Sequence, residues 1–91
     1  MLALATCYCN DIYREAARLN IVVTAVEVEA MAEFQGVGLS ATDIRYRARV
    51  SSPASEEEIA KLIRETDAVA EVHNTIRAGV SVSLVPWESQ A

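Results

Sequence analysis

Two cysteines, Cys7 and Cys9, and the single histidine, His73, are the side chains best suited to chemistry of their own. The spacing predicts a helix over Leu2–Leu19, and positions two apart on a helix differ by about 200 degrees, so the thiols point to nearly opposite faces. They cannot form a disulfide with each other there. Cys9 falls on the apolar stripe with Ile12, where a cysteine is usually an inert core residue. Cys7 falls on the more polar side, which suits either a stabilised thiolate or a half-buried thiol without a role.

Other kinds of chemical site have little support in the sequence. A metal site would need both sulfurs and His73 to converge, and the helix already separates the sulfurs. Catalysis by a Cys/His pair needs the two groups within hydrogen-bond reach. We expect His73 instead to be a polar residue near the C-terminal end of the second helix, where the helix dipole favours it. The sequence has no glycine-rich phosphate loop and no nucleophile elbow, so it predicts thiol chemistry, if any, with no cofactor and no metal.

The composition is that of a small folded protein rather than of a disordered chain or a multidomain enzyme. The 91 residues are 52% hydrophobic and 23% charged, with a formal net charge of −5. The acidic balance opposes binding to nucleic acid and to anionic membranes. A chain of this length buries only about 60% of the surface that it exposes when unfolded, so we expect a homodimer or a larger homo-oligomer.

The cysteine count and the N-terminal residues bear on location. Two cysteines are too few for a secreted disulfide framework, and the start MLALATCYC lacks the basic region of a signal peptide. Charged residues interrupt the apolar runs well before the about 20 residues that a membrane span needs. The sequence therefore predicts a soluble, cytoplasmic protein.

The hydrophobic pattern predicts an α+β fold with the order α-β-β-α-β. The first half of the first helix is apolar all round and should be buried on more than one side. Two strands with alternating patterns follow, over 21–34 and 43–50, joined by a glycine-containing loop. Ser55 opens a capping box for a second helix that ends or bends around 72–74. A turn over 75–79 then leads to a final strand over 80–85.

The two long strands form a predicted hairpin with one polar face. If the loop is centred on Gly38, then Glu27 and Glu29 lie opposite Arg49 and Arg47. Opposite charges on facing strands are favourable pairs. We interpret the arginines as part of a solvated face neutralised by its neighbour, and an anion-binding patch is the alternative.

Two segments resemble the OsmC/Ohr family, the osmotically induced and organic-hydroperoxide-resistance thiol peroxidases. LALATCYCNDIYREAARLNI and the following VVTAVEVEA are similar to the family's buried central helix and next strand, with Cys7 at the place of the peroxidatic cysteine. VHNTIRAGVSVSL is similar to the stretch that leads from the second family cysteine into the final strand. The resemblance implies one OsmC-like domain over 1–91, matching about the C-terminal two-thirds of a family member, with a long buried helix against an antiparallel sheet that dimerisation completes.

The sequence departs from the family pattern in two ways. Ala70 stands where the resemblance places the second family cysteine, and Glu71 stands at the following proline. The N-terminal strands are also absent, and with them the arginine that activates the cysteine. Arg14, about two helical turns beyond Cys7, is a weak substitute. Only Cys7 carries over, as a candidate peroxidatic thiol.

Two functions follow from these observations. The first is a non-catalytic or catalytically degenerate dimeric OsmC-like module, whose surplus apolar surface forms an interface or a groove for a small apolar molecule. The alternative is a one-cysteine thiol peroxidase that reduces organic hydroperoxides. In that case Cys7 becomes a sulfenic acid, and an external thiol resolves it.

Overall fold

The fold consists of one long helix, a two-stranded hairpin and two shorter helices. The computed structural model describes residues 2–80, 82–84 and 86. In chain order the elements are α1 (Leu2–Leu19), β1 (Ala25–Phe34), β2 (Ala41–Ser51), α2 (Glu56–Val69) and α3 (Glu71–Ala78). Helices beside an antiparallel hairpin confirm the predicted α+β class. Within the described part of the chain, no helix combines the length and the apolar character that crossing a bilayer requires.

A tight turn separates α1 from the hairpin. Asn20 has a left-handed backbone with φ of 58°, a conformation that asparagine tolerates better than most residues. The amide of Ile21 donates to the carbonyl of Ala16 at 2.9 Å. Residues 21–24 connect this turn to the hairpin and are not in a strand, so β1 begins at Ala25 rather than at the predicted residue 21.

The predicted pairing of the hairpin is confirmed. Glu27 lies opposite Arg49 and Glu29 opposite Arg47. The corresponding ion pairs measure 2.7 Å and 3.0 Å between nitrogen and oxygen. All four side chains are exposed, so the pairs define the register more than they add stability.

The hairpin is irregular near its loop. The register shifts between Met31 and Glu33, and Asp43, in the facing segment, has a φ of 51°. A β-bulge of this kind bends the strand pair and increases its local twist. On the apolar face, exposure rises towards the loop, from 8% at Val50 to 39% at Ile44 and 63% at Phe34. α1 therefore covers only one end of that face.

The helical region after the hairpin begins as predicted and ends differently. The Ser55 hydroxyl accepts a hydrogen bond from the Glu58 amide at 3.2 Å, which confirms the predicted cap. The predicted bend at 72–74 and turn at 75–79 are wrong. The helix is interrupted at Ala70, where the backbone is extended. A separate helix, α3, follows to Ala78 and is capped by Gly79 in a left-handed conformation. The Asn74 side chain donates to the carbonyl of Ala68 at 3.0 Å, satisfying a free carbonyl at the end of α2.

The predicted final strand over 80–85 is wrong for its described part. Residues 80 and 82–84 are not in a strand, and residues 81 and 85 lie outside the described residues. Val82 and Leu84 are almost fully exposed. An apolar segment holds strand structure only when a neighbouring strand supplies hydrogen bonds, and the described part of the sheet contains two strands that pair with each other.

The core lies between α1, the covered end of the hairpin and α2. Its fully buried members are Tyr8, Ile12, Leu62 and Ala70. The first turn of α1 extends beyond this core, since Leu2 is 80% exposed while Leu4 is buried. The first half of α1 was predicted to be buried on more than one side, and the single chain does not bury its first turn in this way.

Replacing Leu62, which is completely buried, tests this core. We expect Leu62→Ala to lower the free energy of unfolding by about 2–5 kcal/mol, because it removes buried methyl groups and leaves a cavity. Leu39→Ala is the matched control: Leu39 is 57% exposed in the hairpin loop, and its truncation should cost about 0.5 kcal/mol or less. Urea unfolding of both variants checks the difference, and equal losses would contradict the described core.

Candidate functional site

Cys7 lies in the second turn of α1 and is half-buried. Helical spacing places it on the same side as Leu4, one turn before it, and Asp11, one turn after it. Arg14 lies a further turn along this side. The Arg14 guanidinium contacts Glu15 at 3.1 Å and Glu71 at 2.8 Å, so its charge is taken up by carboxylates rather than directed at the thiol.

Cys9 is also half-buried, so the prediction that it belongs to the core stripe is only partly correct. Burial raises the pKa of the Cys9 thiol above its usual value, which lowers its thiolate fraction at neutral pH. Both thiols are free, as the helical spacing requires.

The buried side of α1 includes two carboxylates. Asp11 is 8% exposed and Glu15 is 6% exposed. Glu15 accepts hydrogen bonds from Arg18 at 2.8 Å and from Arg14, and these bonds lower the pKa of its carboxyl group. Burial, and then the nearby charge of Glu71, raise the pKa of Asp11. One Asp11 oxygen, Oδ2, has no hydrogen-bond partner among the described residues.

Three aromatic rings from three elements meet beside α1. Tyr8 of α1 and Tyr46 of β2 have ring centroids 4.7 Å apart, nearly edge to face. His73 of α3 lies 4.4 Å from Tyr46 and 5.3 Å from Tyr8. We call these residues the aromatic cluster. Offset and edge-to-face contacts at these distances are favourable.

Hydrogen bonds anchor both tyrosines of the aromatic cluster. The Tyr8 hydroxyl donates to the carbonyl of Ile63 at 2.8 Å, and the Tyr46 hydroxyl donates to Asp67. Burial raises the pKa of Tyr8 to about 12 and also raises the pKa of Tyr46, so both remain neutral. Burial alone would raise the pKa of Asp67, but Arg77, which donates to its carboxylate at 2.7 Å, and Tyr46 together lower it.

His73 corrects a sequence prediction. It is not a polar residue at the C-terminal end of a helix; it lies in the first turn of α3 and is only 4% exposed. Neither ring nitrogen has a hydrogen-bond partner among the described residues. Burial, and then the Arg77 charge, hold the pKa of His73 below its usual value, although Asp67 and Asp11 act in the opposite direction.

The position assigned to the second family cysteine is part of the core. Ala70 is completely buried at the break between α2 and α3. Glu71, at the place of the family's proline, is exposed and paired with Arg14. Among the described residues, no three metal-ligating side chains are grouped as a metal site would require. On the polar face of the hairpin, Glu27, Glu29, Arg47 and Arg49 line a cavity of about 280 Å³, and each arginine there is paired with a glutamate.

A family model described as OsmC-like protein matches residues 1–85, and the chain therefore belongs to the OsmC-like protein family. The chain is also similar to the crystal structure of an OsmC-like protein from Mycoplasma pneumoniae, with a TM-score of 0.74 and 20% sequence identity. The similarity covers 82% of this chain and 56% of that one, less than the predicted two-thirds. No curated protein matches the chain. The prediction that the matched region is the C-terminal one, and the role of Cys7, stay predictions.

The burial of His73 predicts a pH-dependent stability. Between the lowered pKa of the folded protein and about 6.5, the unfolded chain binds a proton that the folded chain does not. We expect the free energy of unfolding to be unaffected by His73 above about pH 6.5 and to decrease as pH falls through this window. NMR titration of the imidazole should give a midpoint below 6.5.

The control for this prediction is His73→Phe, which keeps an aromatic ring in the aromatic cluster. Asp11 has a raised pKa and therefore adds stability on protonation, which opposes the histidine effect; this contribution is present in both proteins. Denaturation at several pH values should show a steeper loss in the parent protein than in the variant. Parallel curves, or an imidazole midpoint above 6.5, would refute the prediction.

Proposed function

We propose that this chain is a self-associating OsmC-like module that does not carry out the family's two-thiol chemistry. The observation that carries the proposal is the apolar face of the hairpin beyond the cover of α1. We call this surface the open end; its exposed members are Leu2, Phe34, Ile44 and Ile76. Ile44 and Ile76 line one cavity together with Leu4, which places the start of α1 at this end of the sheet.

The dimensions of the chain support a second copy as the occupant of the open end. The radius of gyration is 16.2 Å, against about 12 Å for a compact domain of this length. The accessible surface is 6683 Å², against about 5,200 Å² for a compact monomer of this mass. Part of this excess comes from the exposed segment at 82–84, and part comes from the exposed apolar side chains of the open end. A two-stranded hairpin is also rarely stable without further cover.

Three features of the site support the loss of two-thiol chemistry. Ala70 holds the place of the second cysteine and cannot resolve an oxidised Cys7. Arg14 is engaged by Glu15 and Glu71, so it contributes little positive potential at the thiol. A thiol with an unassisted pKa near 8.5 is only a few per cent thiolate at neutral pH. The cytoplasmic location predicted from the cysteine count is part of this proposal.

The alternative is a one-cysteine peroxidase that acts through Cys7. One observation favours this alternative: Cys7 is half-buried rather than fully buried in the core, so its thiol is partly accessible to a substrate. It lies on the same side of α1 as Asp11. In this reaction the thiolate attacks the hydroperoxide, the alcohol leaves, and an external thiol reduces the resulting sulfenic acid.

Phe34→Glu tests self-association. A charged side chain at the open end should be buried on association without a partner, so we expect this variant to be monomeric where the parent protein is a dimer or larger. The control is Val22→Glu, which is equally exposed, at 64% against 63%, but lies before β1 near the other end of the sheet. It should associate like the parent.

Light scattering at matched concentrations gives the mass of each protein. A monomeric parent protein would overturn the proposal. Association that persists in Phe34→Glu and is lost in Val22→Glu would move the interface away from the open end.

The reduced protein in excess dithiol tests the two functions against each other. We expect it to consume cumene hydroperoxide no faster than the dithiol alone, and Cys7→Ser to be indistinguishable from it. The matched variant is Cys9→Ser, which removes the neighbouring thiol. Consumption that is lost in Cys7→Ser and retained in Cys9→Ser would establish the one-cysteine peroxidase instead.

A further inference from the structure

A small cavity lies against the aromatic cluster. Its volume is about 90 Å³, and it is lined by Leu4, Ile44, Tyr46, His73, Ile76 and Arg77. This is several times the about 30 Å³ that one water molecule occupies in the liquid. Ile44 and Ile76 are partly exposed, at 39% and 44%, so part of the lining is open to solvent. It is separate from the ion-paired cavity on the polar face of the hairpin.

The wall of this cavity contains an unusual polar group. His73 is only 4% exposed, and neither Nδ1 nor Nε2 has a partner among the described residues. Leaving a buried polar group without a hydrogen bond is costly, so such groups normally have a partner. The low pKa of the ring keeps it neutral, with one nitrogen as donor and the other as acceptor.

The surrounding charges disfavour an ionic ligand. The Arg77 guanidinium is bound to the Asp67 carboxylate at 2.7 Å and to Asn74 at 3.1 Å, so its charge is already compensated. Asp67 and Asp11 act on His73 electrostatically and would repel an anion. The aliphatic walls of the cavity penalise a ligand of either charge.

We propose that this cavity binds a small neutral molecule with an apolar body and one hydroxyl group, such as a simple alcohol or phenol. A hydroxyl donates and accepts, so it can pair with either ring nitrogen whichever tautomer is present. The apolar body lies on Leu4, Ile44 and Ile76. The proposal concerns a ligand site and does not depend on the self-association proposed above.

Phenol is a suitable probe, and benzene is its matched control without the hydroxyl. Because His73 is the single histidine, its ring resonances are assigned without ambiguity. We expect saturable shifts of these resonances with phenol, and binding about tenfold weaker for benzene, the factor that one hydrogen bond to a buried group supplies.

His73→Phe separates the hydrogen bond from the cavity. It keeps the ring between Tyr8 and Tyr46 and removes both nitrogens, so phenol should bind about tenfold more weakly while benzene is unchanged, as measured by saturation transfer on the ligand. Phe34→Glu lies outside the cavity lining, so it should still show saturable shifts of the His73 resonances with phenol even where light scattering finds it monomeric.

Two results would overturn the proposal. The first is the absence of saturable shifts up to the solubility of phenol, which would mean that water alone meets the ring nitrogens. The second is equal affinity of the parent protein for phenol and benzene, which would mean that His73 makes no hydrogen bond to the ligand. Both are measured on the parent protein, so they hold even if His73→Phe does not fold.

Discussion

The contact of Tyr8 with its surroundings is the interaction on which the rest of this fold depends. Its ring packs against Tyr46 of β2 and His73 of α3, and its hydroxyl donates to the carbonyl of Ile63 in α2. One completely buried side chain thereby joins α1 to three of the other four elements. In a chain this short, where few core residues are available, such a shared residue replaces the larger core of a longer domain. The break at Ala70 serves this contact because it turns α3 so that His73 reaches the two tyrosines.

The buried carboxylates of α1 follow from the same packing. The side of α1 that faces α2 and α3 carries Tyr8 and Ile12, and with them the neighbouring positions Asp11 and Glu15. Glu15 is compensated by hydrogen bonds from Arg14 and Arg18, whereas Asp11 has only a longer contact with Arg14, at 3.6 Å. Arg14 also reaches Glu71, so the cation that could have assisted Cys7 is used to hold α1 against α3. One guanidinium group cannot both attach the helices and activate the thiol. The Arg14 guanidinium is bound to the carboxylates and so attaches the helices.

Local patterns were sufficient to predict α1, the hairpin with its register and the start of α2. Alternation along both strands, with Glu27 and Glu29 facing Arg49 and Arg47, is a period-two signal that one chain carries by itself. Ser55 and the acids after it likewise specify a helix start locally. The break at Ala70 could not be predicted, because alanine favours helix and only the packing of His73 explains the change of direction. The prediction of a final strand was wrong for the opposite reason. The alternating pattern is local, but a strand also needs a neighbouring strand with which to pair.

The site shows the same division between local and tertiary information. The helical spacing of Cys7 and Cys9 placed their thiols on different sides, and both are free. The aromatic cluster forms only where three elements meet, so the sequence did not predict it, and His73 was placed at a helix end instead. The lining of the cavity beside His73 includes Ile44 and Ile76, which are also members of the open end. A second copy over the open end would therefore lie beside this cavity, and whatever effect association has on the affinity of a molecule held there, the molecule has the same effect on association.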